Sequence, residues 1–279
     1  MMKRVTLFAY PAWHSLSPAM QNSAFEATGV DAVYEAWEVP PDELTQYLDR
    51  LRGEEFLGAN VTIPHKEAVL EHLDELSEDA EFVGAVNTIV RRGGELVGHN
   101  TDVVGFQRAL LDLEVDVRSS RVLLLGAGGA GRAVAFALLS GGVKELLVHN
   151  RTYERAQRLA EDFEEMGTVQ VVAADDLVTV ARTADLIINS TSVGLLRQGV
   201  ELEESPLPEG TLPERGAVMD LIYRPKVTRL LRDASARGLR IQNGLPMLIY
   251  QGAAAFFLWT GVDAPTAVME EAVVRVLGE

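Results

Sequence analysis

Short apolar runs alternate along this chain with longer stretches whose apolar residues recur at helical spacing, a strand-then-helix rhythm. Residues 5–8 read as a first strand that ends near Pro11. A polar loop, His14-Ser15-Leu16-Ser17, leads to Pro18, whose fixed φ suits the first turn of a helix running to about Thr28. Residues 33–39 alternate as a strand does, and Pro40-Pro41-Asp42-Glu43 opens a helix through Leu51. Residues 57–63 form a third strand-like run. After Pro64-His65-Lys66, the apolar positions Ala68, Val69, Leu73 and Leu76 predict a helix. Residues 85–90 and 96–97 flank Arg92-Gly93-Gly94 as the arms of a hairpin. Thr101-Asp102 lies at its far end, where residues 104–113 turn helical. Such alternation implies a mostly parallel sheet, with the hairpin as an antiparallel addition.

Residues 113–121 are short and charged, and read as a crossing between two units. Beyond them the apolar run 122–125 meets Gly126-Ala127-Gly128-Gly129-Ala130-Gly131, then a small-residue helix over 132–140 and a second strand at 146–148. Strand, G-x-G-x-x-G turn, helix and strand follow the order of a dinucleotide-binding βαβ unit. Gly126 allows the tight turn, Gly128 lets backbone approach a pyrophosphate, and Gly131 lets the helix pack close. The helix N-terminus offers its N–H groups to the phosphates. The second strand ends at Asn150-Arg151-Thr152, with Arg155 a turn further on and no carboxylate before Glu154. An NAD site usually has an acidic residue there, whereas arginines suit a 2′-phosphate, so the expected cofactor is NADP. Read plainly, the two arginines could also be solvated surface residues.

The unit continues with residues 169–172, 175–181 and 186–188, the last ending at Asn189-Ser190-Thr191. Residues 196–215 read as a polar, mobile insertion carrying Pro and Glu. Residues 218–219 and 240–242 are further strands. Two closing helices, 246–259 and 265–277, have no strand after them, and one is expected to pack back on the first domain.

Length and composition narrow the function classes. At 279 residues two compact units are the natural expectation, and 47% apolar residues suffice for ordinary cores. The net charge of −16 is uneven: residues 1–100 carry seven basic against seventeen acidic side chains. That balance argues against a nucleic-acid or anionic-membrane partner. Without cysteine there is no disulfide, thiolate metal site or Cys nucleophile. No His/Asp/Glu spacing recommends a metal. The N-terminus lacks an apolar segment with a cleavage site, and a soluble, cytoplasmic protein is expected. A homodimer is left open.

Four polar clusters in the first hundred residues fall at element ends, where functional groups collect. They are Ser15 with Ser17; Asn60 with Thr62 and Lys66; Asn87-Thr88; and Asn100-Thr101-Asp102. Ser15 and Ser17 can point one way, and Asn60 and Thr62 share a strand face. Together they make a hydroxyl- and amide-rich pocket suited to a polyhydroxylated acid. Lys66, the only lysine between Lys3 and Lys144, could form a proton-transfer pair with Asp102. Singly, Lys66 also reads as a solvated helix-start residue, Asp102 as an N-cap and Ser17 as a cap before Pro18. His14 and His65 read as structural or exposed.

These motifs resemble those of the shikimate dehydrogenase family over nearly the whole chain. The likeness rests on residues 14–18, 60–66, 84–88 and 100–102, the 126–131 turn, Asn150-Arg151-Thr152, residues 189–192, Asp220-Leu221-Ile222-Tyr223, and Gly244-Leu245-Pro246-Met247 with Gln251. It implies a two-domain α/β fold: a mostly parallel substrate domain over 1–113, completed by C-terminal helices from about 245 to 279, and a Rossmann-type NADP-binding domain over 114–244. It implies reversible NADPH-dependent reduction of 3-dehydroshikimate to shikimate, on the way to aromatic amino acids. It assigns the substrate carboxylate to Ser15 and Ser17 with Tyr223 nearby, and ring hydroxyls to Asn60, Thr62, Asn87, Asp102 and Gln251. Lys66, paired with Asp102, handles the proton. The glycine turn and Asn150 hold the cofactor, Arg151, Thr152 and Arg155 grip its 2′-phosphate, and Gly244, Thr191 and Met247 complete its site, the last two by the nicotinamide. The departures are Ala9-Tyr10-Pro11 for a Gly-x-Pro, a bulky Trp13, and Gln21 where a His commonly precedes Asn22. The rivals are a quinate/shikimate-type enzyme using NAD and a regulator that binds without turnover.

Overall fold

The computed structural model describes residues 2–13, 15–196 and 203–278. It forms two compact units: Met1–Gly105 with Leu248–Glu279, and Phe106–Met247. In the first, β1 (Lys3–Ala9), β2 (Ala32–Glu38), β3 (Phe56–Val61), β4 (Glu75–Leu76), β5 (Thr88–Arg92) and β6 (Glu95–His99) make one sheet of order β2-β1-β3-β5-β6-β4. Only β5 runs against its neighbours. Helices α1 (Ser17–Thr28), α2 (Leu44–Leu51), α3 (His65–Ala68) and α4 (Glu78–Val83) connect these strands, and α5 (Thr101–Asp112) follows them. One layer of the core joins Phe8, Leu48, Leu51, Phe56, Ile89 and Leu96.

The second unit carries β7 (Arg121–Leu125), β8 (Glu145–His149), β9 (Val169–Val171), β10 (Leu186–Asn189), β11 (Ala217–Asp220) and β12 (Arg240–Gln242). All pair in parallel, in the order β12-β11-β10-β7-β8-β9. Relabelled from β7, that is 6-5-4-1-2-3, the doubly wound dinucleotide-binding order, with its ligand crevice at the strand C-terminal ends. The winding helices are α6 (Gly129–Ser140), α7 (Tyr153–Asp162), α8 (Leu177–Ala181) and α9 (Arg229–Ala236). The strands β7 and β10 are buried on both faces, as continuous apolar runs in a parallel sheet should be.

Two helices close the chain, α10 (Leu245–Thr260) and α11 (Thr266–Leu277). Both unit boundaries fall inside helices, within α5 and within α10, while the charged 113–121 segment lies wholly in the second unit. From Leu248 onward the closing helices belong to the first unit. There α11 packs on α1, Phe256 lies 5.2 Å from Phe25 between ring centroids, and Trp259 Nε1 donates to the Ile89 carbonyl at 2.9 Å.

Three details differ from the pattern reading. The helix expected through Leu76 stops at Ala68, because residues 74–77 instead bond to β6: Asp74 N–H donates to Leu96 O and Ser77 N–H to Gly98 O. The first hairpin arm begins at Thr88, since Val86 N–H turns away to the Lys66 carbonyl. Within the expected mobile insertion, Leu207 and Leu212 are buried in the second unit's core, so residues 203–215 are a packed segment; 197–202 lie outside the described residues. The short helices α4, α7 and α9 go unread in the apolar pattern, being one to three turns long.

Replacing Trp259 by Phe keeps an aromatic ring but removes the indole N–H that donates to the Ile89 carbonyl. Urea unfolding should show a loss of about 1–2 kcal/mol. An unchanged midpoint would mean the indole N–H adds nothing to the docking of α10.

Candidate active site

In the first unit, β3 delivers Asn60, the start of β5 brings Asn87 and Thr88, and the first turn of α5 brings Thr101 and Asp102. Asn100 stands just before that helix. Its Oδ1 accepts the Asp102 N–H at 3.1 Å, and its Nδ2 donates to Ala85 O at 2.8 Å. Asn100 is therefore the cap, and the Asp102 carboxylate, which could have served as one, is turned elsewhere. Lys66 Nζ donates to Asp102 Oδ2 at 2.6 Å, while Asn87 Nδ2 donates to Asp102 Oδ1 at 3.0 Å. The two charged side chains are only 16% and 8% exposed, so water screens their attraction weakly. Lys66 is thus no solvated helix-start residue.

Asn87 is fixed in turn. Its Oδ1 accepts Thr101 N–H at 2.7 Å, and its Nδ2 also lies 2.9 Å from Thr101 Oγ1 and 3.4 Å from Gln251 Oε1. Gln251 donates its own amide to Leu248 O at 2.8 Å. Asn60 Nδ2 reaches Asn87 O and Thr88 Oγ1, each at 3.0 Å. One network thereby joins Asn60, Asn87, Asp102, Lys66 and Gln251. Thr62 lies just past β3, half-buried, with no partner for its hydroxyl among the described residues. Ser17 is the first residue of α1 and not its cap; its N–H donates to Ser15 Oγ at 3.2 Å.

In the second unit the residues fit a dinucleotide. Gly126 follows β7 with φ +110°, and a Cβ at Gly131 would strike the Gly126 carbonyl, so α6 starts hard against the turn. No side chain caps α6, which leaves its first N–H groups for a ligand. Gly128, Gly129 and Ala130 form this start, and Gly128 has open space where a Cβ would stand. Asn150 braces the turn: its Oδ1 accepts Ala127 N–H at 3.1 Å and its Nδ2 donates to Thr152 O at 2.8 Å. Arg151, Thr152 and Arg155 are exposed at the start of α7, and neither arginine has an ion-pair partner among the described residues.

Thr191 builds the turn after β10, donating to Asn189 Oδ1 at 2.7 Å and accepting Val193 N–H at 3.1 Å. Gly244 N–H bonds Ile222 O at 3.1 Å, and Met247 is buried. Tyr223 belongs to this unit; burial raises its phenol, and Arg224 pulls it back.

Other residues fall outside these sites. His65 is buried with Nε2 2.8 Å from Val39 O, and burial lowers its pKa, a structural role. His14 lies outside the described residues. Gln21 donates to Gly252 O at 2.9 Å and Trp13 is 67% exposed. No cluster of His, Asp and Glu suited to a metal occurs among the described residues, and no helix there is long and apolar enough to cross a membrane. Sequence reasoning missed Tyr34, whose hydroxyl donates to Asn60 Oδ1 at 2.8 Å; it reads simply as one apolar position of a strand.

Fold and sites together define an α/β, dinucleotide-binding oxidoreductase. Three family models match in chain order: a shikimate dehydrogenase substrate-binding domain over residues 7–89, shikimate/quinate 5-dehydrogenase over 108–203, and a shikimate 5′-dehydrogenase C-terminal domain over 244–274. The shikimate dehydrogenase (NADP(+)) of one strain of Thermus thermophilus is 48% identical over 277 residues, covering 99% of this chain and all of the relative. A crystal structure of shikimate 5-dehydrogenase from a second strain of that species, in complex with shikimate, covers both chains fully at 47% identity and a TM-score of 0.89. One from the second strain in complex with NADP(H) and shikimate gives 46% and 0.88, covering 98% of this chain and 99% of the other. The chain belongs to the shikimate dehydrogenase family.

Asp220, at the end of β11, is fully buried. Burial pushes its carboxyl up to about 6, against hydrogen bonds from Thr228, Ile222 N–H and Asn189 that pull it down. Between the ordinary value of 3.8 and about 6, only the folded state keeps the proton. Its contribution to stability is therefore complete below that window and is lost as pH rises through it, by about 3 kcal/mol in all. Urea unfolding from pH 4 to 7 should show wild type losing stability relative to Asp220→Asn. Parallel profiles would put the Asp220 pKa at its ordinary value.

Proposed function

We propose that this chain is an NADP-dependent shikimate dehydrogenase, interconverting 3-dehydroshikimate and shikimate on the route to chorismate and the aromatic amino acids. The observation that carries it is the Lys66–Asp102 contact at 2.6 Å, held in a network of amides and hydroxyls. Nothing apolar in that network would welcome a hydrocarbon, whereas a ring with several hydroxyls meets donors and acceptors on every side. A biosynthetic role of this kind suits the cytoplasm.

NADPH, held by the residues at the start of α6 and α7, would supply a hydride to C3 of the substrate. The rest falls to this chain's residues. Ser15 and Ser17 donate to the carboxylate, meeting an anion with neutral hydroxyls. Asn60, Thr62, Asn87, Asp102 and Gln251 hold the ring hydroxyls. Lys66 gives its proton to the C3 oxygen during reduction and takes it back during oxidation, a general acid and base in one group. Asp102 keeps the ammonium aimed, and Asn87 keeps Asp102 from turning. Backbone N–H groups at the start of α6 take the pyrophosphate. Arg151, Thr152 and Arg155 hold the 2′-phosphate, and two arginines with no ion-pair partner among the described residues of an acidic chain support that reading.

Purified protein with shikimate and NADP⁺ should generate the absorbance of NADPH, with quinate or NAD⁺ poorer. Lys66→Ala should lower kcat by about 10²–10⁴-fold. Its loss of shikimate affinity should be far smaller. A variant with near-normal kcat would remove Lys66 from the chemistry. Arg151→Ala should raise KM for NADP⁺ by about tenfold while leaving that for NAD⁺ unchanged. Equal losses with both cofactors would contradict its place on the 2′-phosphate.

A further inference from the structure

The Tyr34 phenol belongs to the Asn60 network, and the reaction as derived gives it no part. It is 2% exposed, on β2, with its ring 6.1 Å from that of Trp259. One amide of α1 clamps its backbone: Asn22 Oδ1 accepts Tyr34 N–H at 2.8 Å, and Asn22 Nδ2 donates to Tyr34 O at 2.9 Å. Its hydroxyl donates to Asn60 Oδ1 at 2.8 Å.

That contact decides what Asn60 can do. A carboxamide has two N–H donors and an oxygen with two acceptor sites. Both Asn60 donors are spent on Asn87 O and Thr88 Oγ1. One acceptor site is filled by Tyr34. What remains is a single lone pair on Oδ1, so Asn60 meets a ligand only as an acceptor. It therefore favours a ligand hydroxyl and disfavours a ligand carbonyl or ether at that point. Burial pushes the phenol's pKa up, and the Ser17 side chain pulls it back.

We propose that Tyr34 is a positioning residue of the substrate subsite, its hydroxyl holding Asn60 as a pure acceptor. The ligand is of the class already proposed, a ring carboxylate bearing hydroxyls, and the inference rests on that reading. Tyr34 touches no reacting atom. It sets the direction in which Asn60 presents its remaining lone pair, and so acts on affinity and not on the chemical step.

Tyr34→Phe removes only the hydroxyl and keeps the ring against Trp259. Shikimate KM, and its Kd by titration calorimetry, should rise about tenfold. The kcat at saturating shikimate should stay within about twofold and KM for NADP⁺ should not move. The thermal midpoint should hold within a few degrees. Unchanged shikimate Kd would overturn the proposal. So would a variant that fails to fold, or one losing shikimate and NADP⁺ affinity alike with a fallen midpoint, since either makes Tyr34 a structural residue. If wild type binds shikimate without turning it over, the enzyme reading fails while the Kd ratio still decides Tyr34. If wild type does not bind shikimate, both fall.

Discussion

Everything in the first unit's site follows from the need to keep Asp102 an aimed carboxylate. Left to itself, an aspartate in the first turn of a helix is drawn to the nearby backbone N–H groups. Here Asn100 satisfies the Asp102 N–H from one residue before the helix, and Asn87 holds the second carboxylate oxygen. The charge is left with one strong partner, Lys66. Removing either neighbour would loosen the direction of that contact before weakening its strength. This is why three separate segments, residues 60–66, 87–88 and 100–102, carry amides where apolar residues would pack more simply.

The two units solve different electrostatic problems with different means. The first gathers amides and hydroxyls around one ion pair, an arrangement proposed here to read a small hydroxylated acid. The second offers uncapped backbone N–H groups and exposed arginines with no ion-pair partner among the described residues, proposed here to meet a phosphate-bearing anion. A buried acid at Asp220 braces the loops after β10 and β11 through Asn189 and Thr228. In each unit the groups assigned to ligand sit at strand ends and helix starts, where backbone geometry and not side-chain packing sets their position.

Much of this was legible in the residues. The strands and the glycine turn announce themselves through local spacing, and the Lys66–Asp102 pairing, which the residues offered as one reading beside a solvated lysine and an N-cap, forms in the structure. What escaped did so for physical reasons. Tyr34 is apolar in pattern and polar in function, and its partner Asn60 is 26 residues away. Asn150 looks like part of a phosphate motif, yet its amide is spent on Ala127 and Thr152, a role only the folded turn reveals. The stretch 68–76 has helical spacing, but an edge of sheet offers its backbone better hydrogen bonds, and tertiary pairing overrides the period. Asn100 and Asp102 are equally good caps by composition; only position relative to Thr101 separates them.

The return of the last helices to the first unit has a consequence for the order in which the chain becomes itself. Residues 106–247 are contiguous and can settle as soon as they are made, whereas the sheet begun at Lys3 waits for Phe256 and Trp259 to cover it. Until the final thirty or so residues leave the ribosome, Gln21, Phe25 and Ile89 face water without their partners. The unit that holds Lys66 and Asp102 is thus assembled from two separate stretches of chain, and a chain cut before Leu248 would keep the 106–247 stretch whole while Phe25 and Ile89 lose their partners.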